Sequence, residues 1–139
     1  MLASLFSSKS PDNERDISAS EAMAALMVRI AKSDDDYSAT EISRIDAVLS
    51  LLYKLSVDQA ANLRQTAEAL EAEAPDTVRF TRAIKEEVPY EERFDVVRAL
   101  WQVVLADGAR DAEEDALMRL LASLLGINDR DSALARKQA

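Results

Sequence analysis

Apolar residues recur along this chain at spacings of three and four, which place side chains on one face of an α-helix. Three helix starts are marked by a capping box, in which a serine precedes Glu or Gln by three residues; these serines are Ser18, Ser38 and Ser56. A fourth and a fifth helix are predicted to begin at Pro75 and Pro89, because proline suits the first turn of a helix. The pattern predicts an all-α protein.

Two more helices are predicted in the last third of the chain. Asp111 and Glu114 have the capping-box spacing, Gly126 stands where a glycine ends many helices, and a short last helix is predicted near Asn128. The connecting segments are short, which favours a compact bundle of roughly six to seven helices. The positions predicted to face inward are Met23, Leu26, Met27, Ile30, Ile42, Ile45, Val48, Leu49, Leu52, Ala60, Leu63, Ala67, Leu70, Val78, Phe80, Ile84, Val88, Phe94, Val97, Leu100, Trp101, Val104, Leu117, Leu120, Leu121, Leu124 and Leu125.

Two segments of the chain repeat each other. Residues 23–52 align with residues 96–125, and both read as an apolar helix, an acidic loop and a second apolar helix. The apolar phase agrees between them, so the bundle is predicted to consist of two related helix–loop–helix halves. The pairs that support the alignment are Asp34/Asp107, Ala39/Ala112, Glu41/Glu114, Ser50/Ser123, Leu51/Leu124, Leu52/Leu125, Met27/Leu100, Ile30/Val103, Ile45/Met118 and Val48/Leu121.

The residue inventory removes most catalytic chemistry. The chain has no cysteine and no histidine, so it offers no disulfide, no thiol nucleophile and no imidazole base. Gly108 and Gly126 stand too far apart to form a phosphate-binding loop. No catalytic and no cofactor-binding residue is predicted. Any metal would have to accept oxygen ligands alone, as calcium, magnesium and manganese do.

The chain is acidic, with a formal net charge of −9 and a pI near 4.5. Such a surface repels nucleic acid and anionic lipid, so we expect a protein partner and no nucleic acid. No apolar run approaches the ~20 residues of a membrane span. The first residues lack the basic start of a signal peptide, which predicts a cytoplasmic location. The sequence predicts no particular oligomeric state.

The chain is predicted to divide into an arm and one domain. Residues 1–17 show no apolar period and contain Ser, Pro, Asp and Asn, so we expect a flexible N-terminal arm, followed by a helical domain over residues 18–139. Leu2, Leu5 and Phe6 leave two interpretations open. They are either part of a frayed terminus or an apolar hook onto a partner or a membrane surface.

The acidic loops between the paired helices are the candidate metal sites. The first loop is not an EF-hand, because Ala39 and Ile45 stand where that motif needs Gly and a bidentate Glu. One interpretation is helix capping beside a solvated turn, and the other is a divalent cation that relieves repulsion between neighbouring carboxylates. Arg110 can neutralise one carboxylate of the second loop. The candidate ligands are Asp34, Asp36, Ser38 and Glu41 in the first loop and Asp107, Asp111 and Glu114 in the second.

The same loops, Ala31–Glu41 and Leu105–Glu114, resemble those of the TerB-like family, which includes the tellurite-resistance protein TerB. In this family an Ala- and Lys-rich helix end is followed by Asp-Gly, and a helix-starting residue then stands three positions before Glu. The second loop is the better match, with Asp107 and Gly108, whereas Asp35 replaces the glycine in the first loop. The resemblance covers residues 18–135.

The resemblance implies an all-helical bundle, a role in stress responses such as tellurite resistance, an acidic surface linked to divalent metal, and no established catalysis. The resulting hypothesis is a non-enzymatic TerB-like interaction module that takes a divalent cation in its acidic loops. One alternative is a metal-dependent hydrolase with carboxylate ligands, and another is a regulator that docks an acidic face on a basic partner. A buried cluster of acids contributed by different helices would favour the hydrolase.

Overall fold

The computed structural model describes residues 17–33, 35, 37–74, 76–106 and 112–139, with the backbone alone at 112 and 113. Within these residues the chain forms seven α-helices, one short 3-10 turn and no strand, so the predicted all-α fold is confirmed. The helices are α1 (Ala19–Lys32), α2 (Ala39–Tyr53), α3 (Val57–Glu73), α4 (Val78–Glu87), α5 (Arg93–Val104), α6 (Ala112–Leu124) and α7 (Asp129–Gln138), and the 3-10 turn (Tyr90–Glu92) precedes α5.

Three helices begin with the predicted capping boxes. The hydroxyls of Ser18, Ser38 and Ser56 each accept a hydrogen bond from the backbone N–H three residues later, at 3.1, 3.2 and 3.1 Å. The Glu or Gln at that later position accepts the N–H of the serine in return. Each box satisfies two backbone donors that a helix start leaves unpaired, and the serine cap stabilises the helix by about 1 kcal/mol.

The two helix starts that were predicted at Pro75 and Pro89 are wrong by a few residues. Pro89 precedes the 3-10 turn Tyr90–Glu92, and α5 begins only after that turn. Pro75 lies outside the described residues, and α4 begins at Val78. The start of α4 has a local cause. The Asp76 carboxylate accepts the N–H of Val78 at 3.0 Å, so the first free backbone donor of this helix has a partner.

Helix α6 ends just before the predicted glycine. Gly126 adopts a φ of 83°, and the N–H of Ile127 donates to the carbonyl of Ala122 at 2.8 Å. A residue with a Cβ is strained in this left-handed conformation, which explains the glycine. Asn128 then caps α7, as its side-chain oxygen accepts the N–H of Asp131 at 2.8 Å. The predicted start of the last helix near Asn128 is confirmed.

Helix α1 lies at the centre of the bundle. It contacts α2, α3, α4, α5 and α6. Residues 22–28 form an unbroken buried run, and Ile30 and Ala31 are buried as well. A helix that is apolar on every side must be surrounded, because no face of it can meet water without cost. Its alanines leave room for the neighbouring helices to approach closely.

The central tryptophan and most of the repeat behave as predicted. Trp101 is buried, its Nε1–H donates to the Ser132 hydroxyl at 3.1 Å, and the Arg136 guanidinium lies 5.5 Å from its ring centre. Four aligned apolar pairs of the two halves are buried in both copies, so the predicted equivalence of burial is confirmed at those pairs, whereas Leu52 is exposed and its equivalent Leu125 is buried. The buried pairs are Met27/Leu100, Ile30/Val103, Ile45/Met118 and Val48/Leu121.

Three residues predicted to face inward are exposed, so those predictions are wrong. Leu120 neighbours the buried Leu121, and adjacent residues of a helix point about 100° apart, so only one of them reaches the core. Val78 is the first residue of α4 and is exposed there. Leu52 lies in the last turn of α2, and 42% of its surface remains exposed.

The enclosure of α1 predicts the effect of enlarging a residue within it. Ala25→Leu should lower the free energy of unfolding by about 1–3 kcal/mol, because the added atoms have no space in the packed interior. Urea denaturation measures this change. The same substitution at the exposed Ala69 of α3 is the control and should change stability by less than about 0.5 kcal/mol. Equal effects at the two positions would contradict the central placement of α1.

Candidate functional site

Two candidate metal ligands of the first acidic loop, Ser38 and Glu41, form a helix cap. Glu41 is buried, and its Oε1 accepts the backbone N–H of Ser38 at 3.1 Å and the Ser38 hydroxyl at 3.3 Å. The same hydroxyl accepts the N–H of Glu41. Asp34 and Asp36 lie outside the described residues. Capping therefore accounts for the positions of Ser38 and Glu41, whether or not a cation binds beside them.

Of the candidate ligands in the second loop, Glu114 alone lies among the described residues. Glu114 is buried in the first turn of α6, as its repeat equivalent Glu41 is buried in the first turn of α2. Asp107 and Asp111 lie outside the described residues. In the part of the chain that the structure describes, no group of three or more acidic side chains is arranged to hold a metal ion. The metal site stays a prediction, and it depends on the aspartates of the two loops.

The backbone at Asp35 explains the glycine of the family pattern. Asp35 is exposed and adopts a φ of 66°, in the left-handed region that glycine enters most readily. Aspartate tolerates this conformation better than most residues, which makes it the least costly acidic substitute. The loop therefore keeps a glycine-like turn and carries an additional carboxylate there.

A hydrogen-bonded network anchors the residue that follows the loop. The Tyr37 hydroxyl donates to Glu68 of α3 at 2.6 Å, and Arg64 donates to Glu68 at 3.0 Å and to Asp46 of α2 at 2.6 Å. Burial and the hydrogen bond to Glu68 raise the pKa of Tyr37, so its phenol stays protonated at neutral pH and acts as a donor. The network fixes the start of α2 against α3.

A second cluster fixes the end of α1 on the other side of the loop. Glu71 of α3 accepts hydrogen bonds from Arg29 at 3.0 Å and from Lys32 at 2.8 Å. Burial alone would raise the pKa of Glu71, but the hydrogen bonds from Lys32 and Arg29 outweigh it and lower the pKa below its usual 4.5. Arg29 also donates to the carbonyl of Ala74 and lies 6.0 Å from the Phe80 ring centre. The first acidic loop thus has both of its flanks held against α3.

Sequence reasoning missed an exposed apolar surface where α2 turns into α3. Leu51 and Val57 are each 82% exposed, and Leu52 and Tyr53 are 42% and 37% exposed. We name these four residues the α2–α3 apolar surface. The available signal was the run of three apolar residues in the last turn of α2, since successive residues point about 100° apart and cannot all reach the core.

The α2–α3 apolar surface continues into a groove of about 190 Å³. Two residues of α2 form one wall, and residues of α1, α5 and the connection before α5 form the rest. Partial burial and the nearby Glu87 carboxylate raise the pKa of Tyr53 in this wall. The lining residues are Met23, Leu52, Tyr53, Val88, Glu92, Asp95 and Val96.

A comparison with protein families identifies the family of this chain. The family model described as tellurite resistance protein TerB matches residues 20–137. The chain therefore belongs to the TerB family, and the predicted family is confirmed. No match was found among the curated proteins or the solved structures. Over the described ranges, no helix is both long enough and apolar enough to cross a membrane.

The left-handed turn predicts that glycine is favourable at position 35. Asp35→Gly should raise the free energy of unfolding by about 1 kcal/mol, because glycine adopts a positive φ without a clash at Cβ. Thermal or urea denaturation measures the gain.

The control is Asp35→Asn, which removes the same charge and keeps the Cβ. If asparagine stabilises as much as glycine, the gain comes from reduced repulsion between carboxylates and the conformational explanation is wrong. Lys54, with a φ of 56° at the end of α2, offers a second left-handed site away from the loop. Lys54→Gly should show a gain of the same sign.

Proposed function

We propose that this chain is a non-enzymatic interaction module of the tellurite-resistance type, which acts in a cytoplasmic stress response by binding a protein partner. Membership of the TerB family supports the stress-response role. The observation that carries the interaction role is the α2–α3 apolar surface, since Leu51 and Val57 remain almost fully exposed in a protein whose core is otherwise well covered. The net charge of −9 favours a protein partner over nucleic acid.

The exposed side chains are a source of binding free energy. Covering a leucine or valine side chain removes apolar surface from water and stabilises the covered state by roughly 1.5–3 kcal/mol at full burial. Single exposed apolar residues are common on protein surfaces, but contiguous ones beside a groove are typical of interaction sites. Leu51, Leu52 and Tyr53 are consecutive, and Leu52 and Tyr53 also line the groove.

The hydrolase alternative finds no support in the described residues. Glu71, a buried acid, is held between Arg29 and Lys32 in a structural role. Among the described residues, no three acidic side chains lie close enough together to hold a metal ion. No specific observation therefore favours metal-dependent hydrolysis as a second function.

The proposal includes a divalent cation at the acidic loops. Three adjacent aspartates, Asp34 to Asp36, repel one another, and a cation with oxygen ligands would relieve that repulsion. The repeat places an acidic loop at both helix junctions, each followed by a buried glutamate in the first helical turn, Glu41 or Glu114. Calcium, magnesium and manganese are the cations that prefer such ligands.

Site-specific photocrosslinking tests the interaction role. A photoreactive phenylalanine analogue in place of Leu51 should form an adduct with one defined protein in cells that make this chain, because that position faces the proposed partner. Mass spectrometry identifies the adduct. The control position is Leu134 of α7, which is 46% exposed and lies on another helix. Identical adducts at the two positions, or none at Leu51 under tellurite stress or without it, would refute the interaction role of this surface.

Thermal denaturation with added cations tests the metal component. If the loops bind calcium, magnesium or manganese, a cation at a hundred times its dissociation constant should add about 2.7 kcal/mol of stability. Asp34→Asn combined with Asp36→Asn should abolish the rise in the thermal midpoint. Ser38→Ala should instead cost about 1 kcal/mol with or without the cation, because it removes only the helix cap.

Sodium chloride at matched ionic strength is the control for charge screening. If none of the three divalent cations raises the midpoint more than sodium does, the loops serve as helix caps and the metal component is wrong. The interaction role rests on a different surface and would be unaffected by that result.

A further inference from the structure

The groove beside the α2–α3 apolar surface has an acidic rim. Glu92 of the 3-10 turn and Asp95 of the first turn of α5 line the groove, and Glu87 at the end of α4 lies near Tyr53 in its wall. All three side chains are exposed. We name these three residues the acidic rim.

Few cations offset the acidic rim. Asp95 pairs with Arg98 at 3.4 Å, whereas Glu87 and Glu92 form no ion pair with any described residue. Glu87 accepts the backbone N–H of Ala19 at 3.0 Å.

Arg93 lies beside these glutamates in sequence, and its guanidinium contacts the residues between Glu87 and Glu92. Its guanidinium lies 5.7 Å from the Tyr90 ring centre, and its Nε donates to the carbonyl of Val88 at 3.1 Å. The rim therefore presents a local excess of negative charge next to apolar side chains.

The groove combines the two features that an amphipathic helix requires. Its apolar lining comes from side chains such as Met23, Val88 and Val96, which pack at the base of the two walls. Its charged lining comes from Glu92 and Asp95 of the acidic rim. An amphipathic helix that binds in this way inserts apolar residues at spacings of three and four, and places its charged residues along the edges of the groove.

We infer that this groove binds a basic amphipathic helix of a partner protein, with leucine-like side chains over Leu52 and Tyr53 and lysine or arginine side chains against the acidic rim. The inference rests on the proposed function and specifies the chemistry of the partner. Charge complementarity would speed the encounter and select against acidic partners, while the apolar contacts would supply most of the affinity.

Charge also disfavours the two occupants that the chain itself could supply. A second copy carries the same acidic rim and the same net charge of −9, so like charges would face each other. The segment before residue 17 contains Asp12, Glu14 and Asp16 against Lys9 and Arg15, which gives no basic excess to match the rim. A basic partner fits the groove better than either.

A synthetic peptide tests the inference directly. The probe is a labelled helix of about 18 residues, about 27 Å long, with leucines on one face and lysines on the other. One control peptide has the same composition in an order that destroys the apolar face, and another replaces every lysine with glutamate. Fluorescence anisotropy should show binding of the probe alone. The binding should weaken as salt rises from about 10 to about 150 mM, over which the screening length falls from about 30 to about 8 Å.

Matched variants locate the site. Leu52→Ser should weaken binding about tenfold, because it removes a side chain from the wall of the groove. Leu134→Ser, at a similarly exposed leucine, should have no effect. Glu92→Gln should weaken binding a few-fold and reduce its dependence on salt, whereas Glu73→Gln removes the same charge from the exposed end of α3 and should not.

Other outcomes would overturn the inference. Equal binding to the Leu52→Ser and Leu134→Ser variants would show general attraction between a cationic peptide and an acidic protein. Equal binding of the lysine and glutamate peptides would show that the acidic rim plays no part. A dimer that Leu52→Ser dissociates would show that a second copy occupies it.

The peptide experiment and the crosslinking experiment test separate claims, so a negative result in one does not imply a negative result in the other. If the Leu51 position crosslinks to a defined partner but the basic peptide does not bind at Leu52, the interaction role stands and the inferred partner chemistry is wrong. If the peptide binds as expected but no partner crosslinks at Leu51, the groove has the inferred chemistry and the proposed function fails.

Discussion

The enclosure of α1 by five other helices is the constraint on which the rest of the structure depends. Residues 22–28 are buried without interruption, so this part of α1 has no face that could lie at the surface. Each surrounding helix can then be amphipathic, since it needs only one face for α1 and its immediate neighbours. The small side chains of α1, among them Ala24 and Ala25, allow this close packing, and larger ones would push the surrounding helices apart.

The surfaces that do not contact this centre are where the chain can act on other molecules. The two helix–loop–helix halves end differently. Leu125 is fully buried at the glycine turn that closes the second half, whereas the first half ends with Leu51, Leu52 and Tyr53 exposed. The two halves share their pattern of apolar positions, so their ends would be expected to be buried alike. The end of the second half is buried, whereas the end of the first half is exposed. The acidic rim beside the open end gives it a charge preference that the core does not require.

Local interactions were predictable from the sequence, and long-range ones were not. The capping boxes at Ser18 and Ser38 involve atoms three residues apart, so composition and spacing suffice to predict them. The hydrogen bond from Tyr37 to Glu68 and the exposure of Leu52 depend on how helices pack, which periodicity does not encode. The acidic loops were visible in the sequence, but the apolar groove arises only when α1, α2 and α5 come together.

Native-state hydrogen exchange tests the central position of α1 most directly. The amides from Met23 to Ile30 are hydrogen-bonded within a helix that packing covers on every side, so they should exchange only when the whole domain unfolds. Their free energy of opening should equal the global free energy of unfolding from urea denaturation, and amides near the ends of α7 should open at lower cost. If the α1 amides exchanged more readily than those of α5 or α6, α1 could not be the element around which the fold is built.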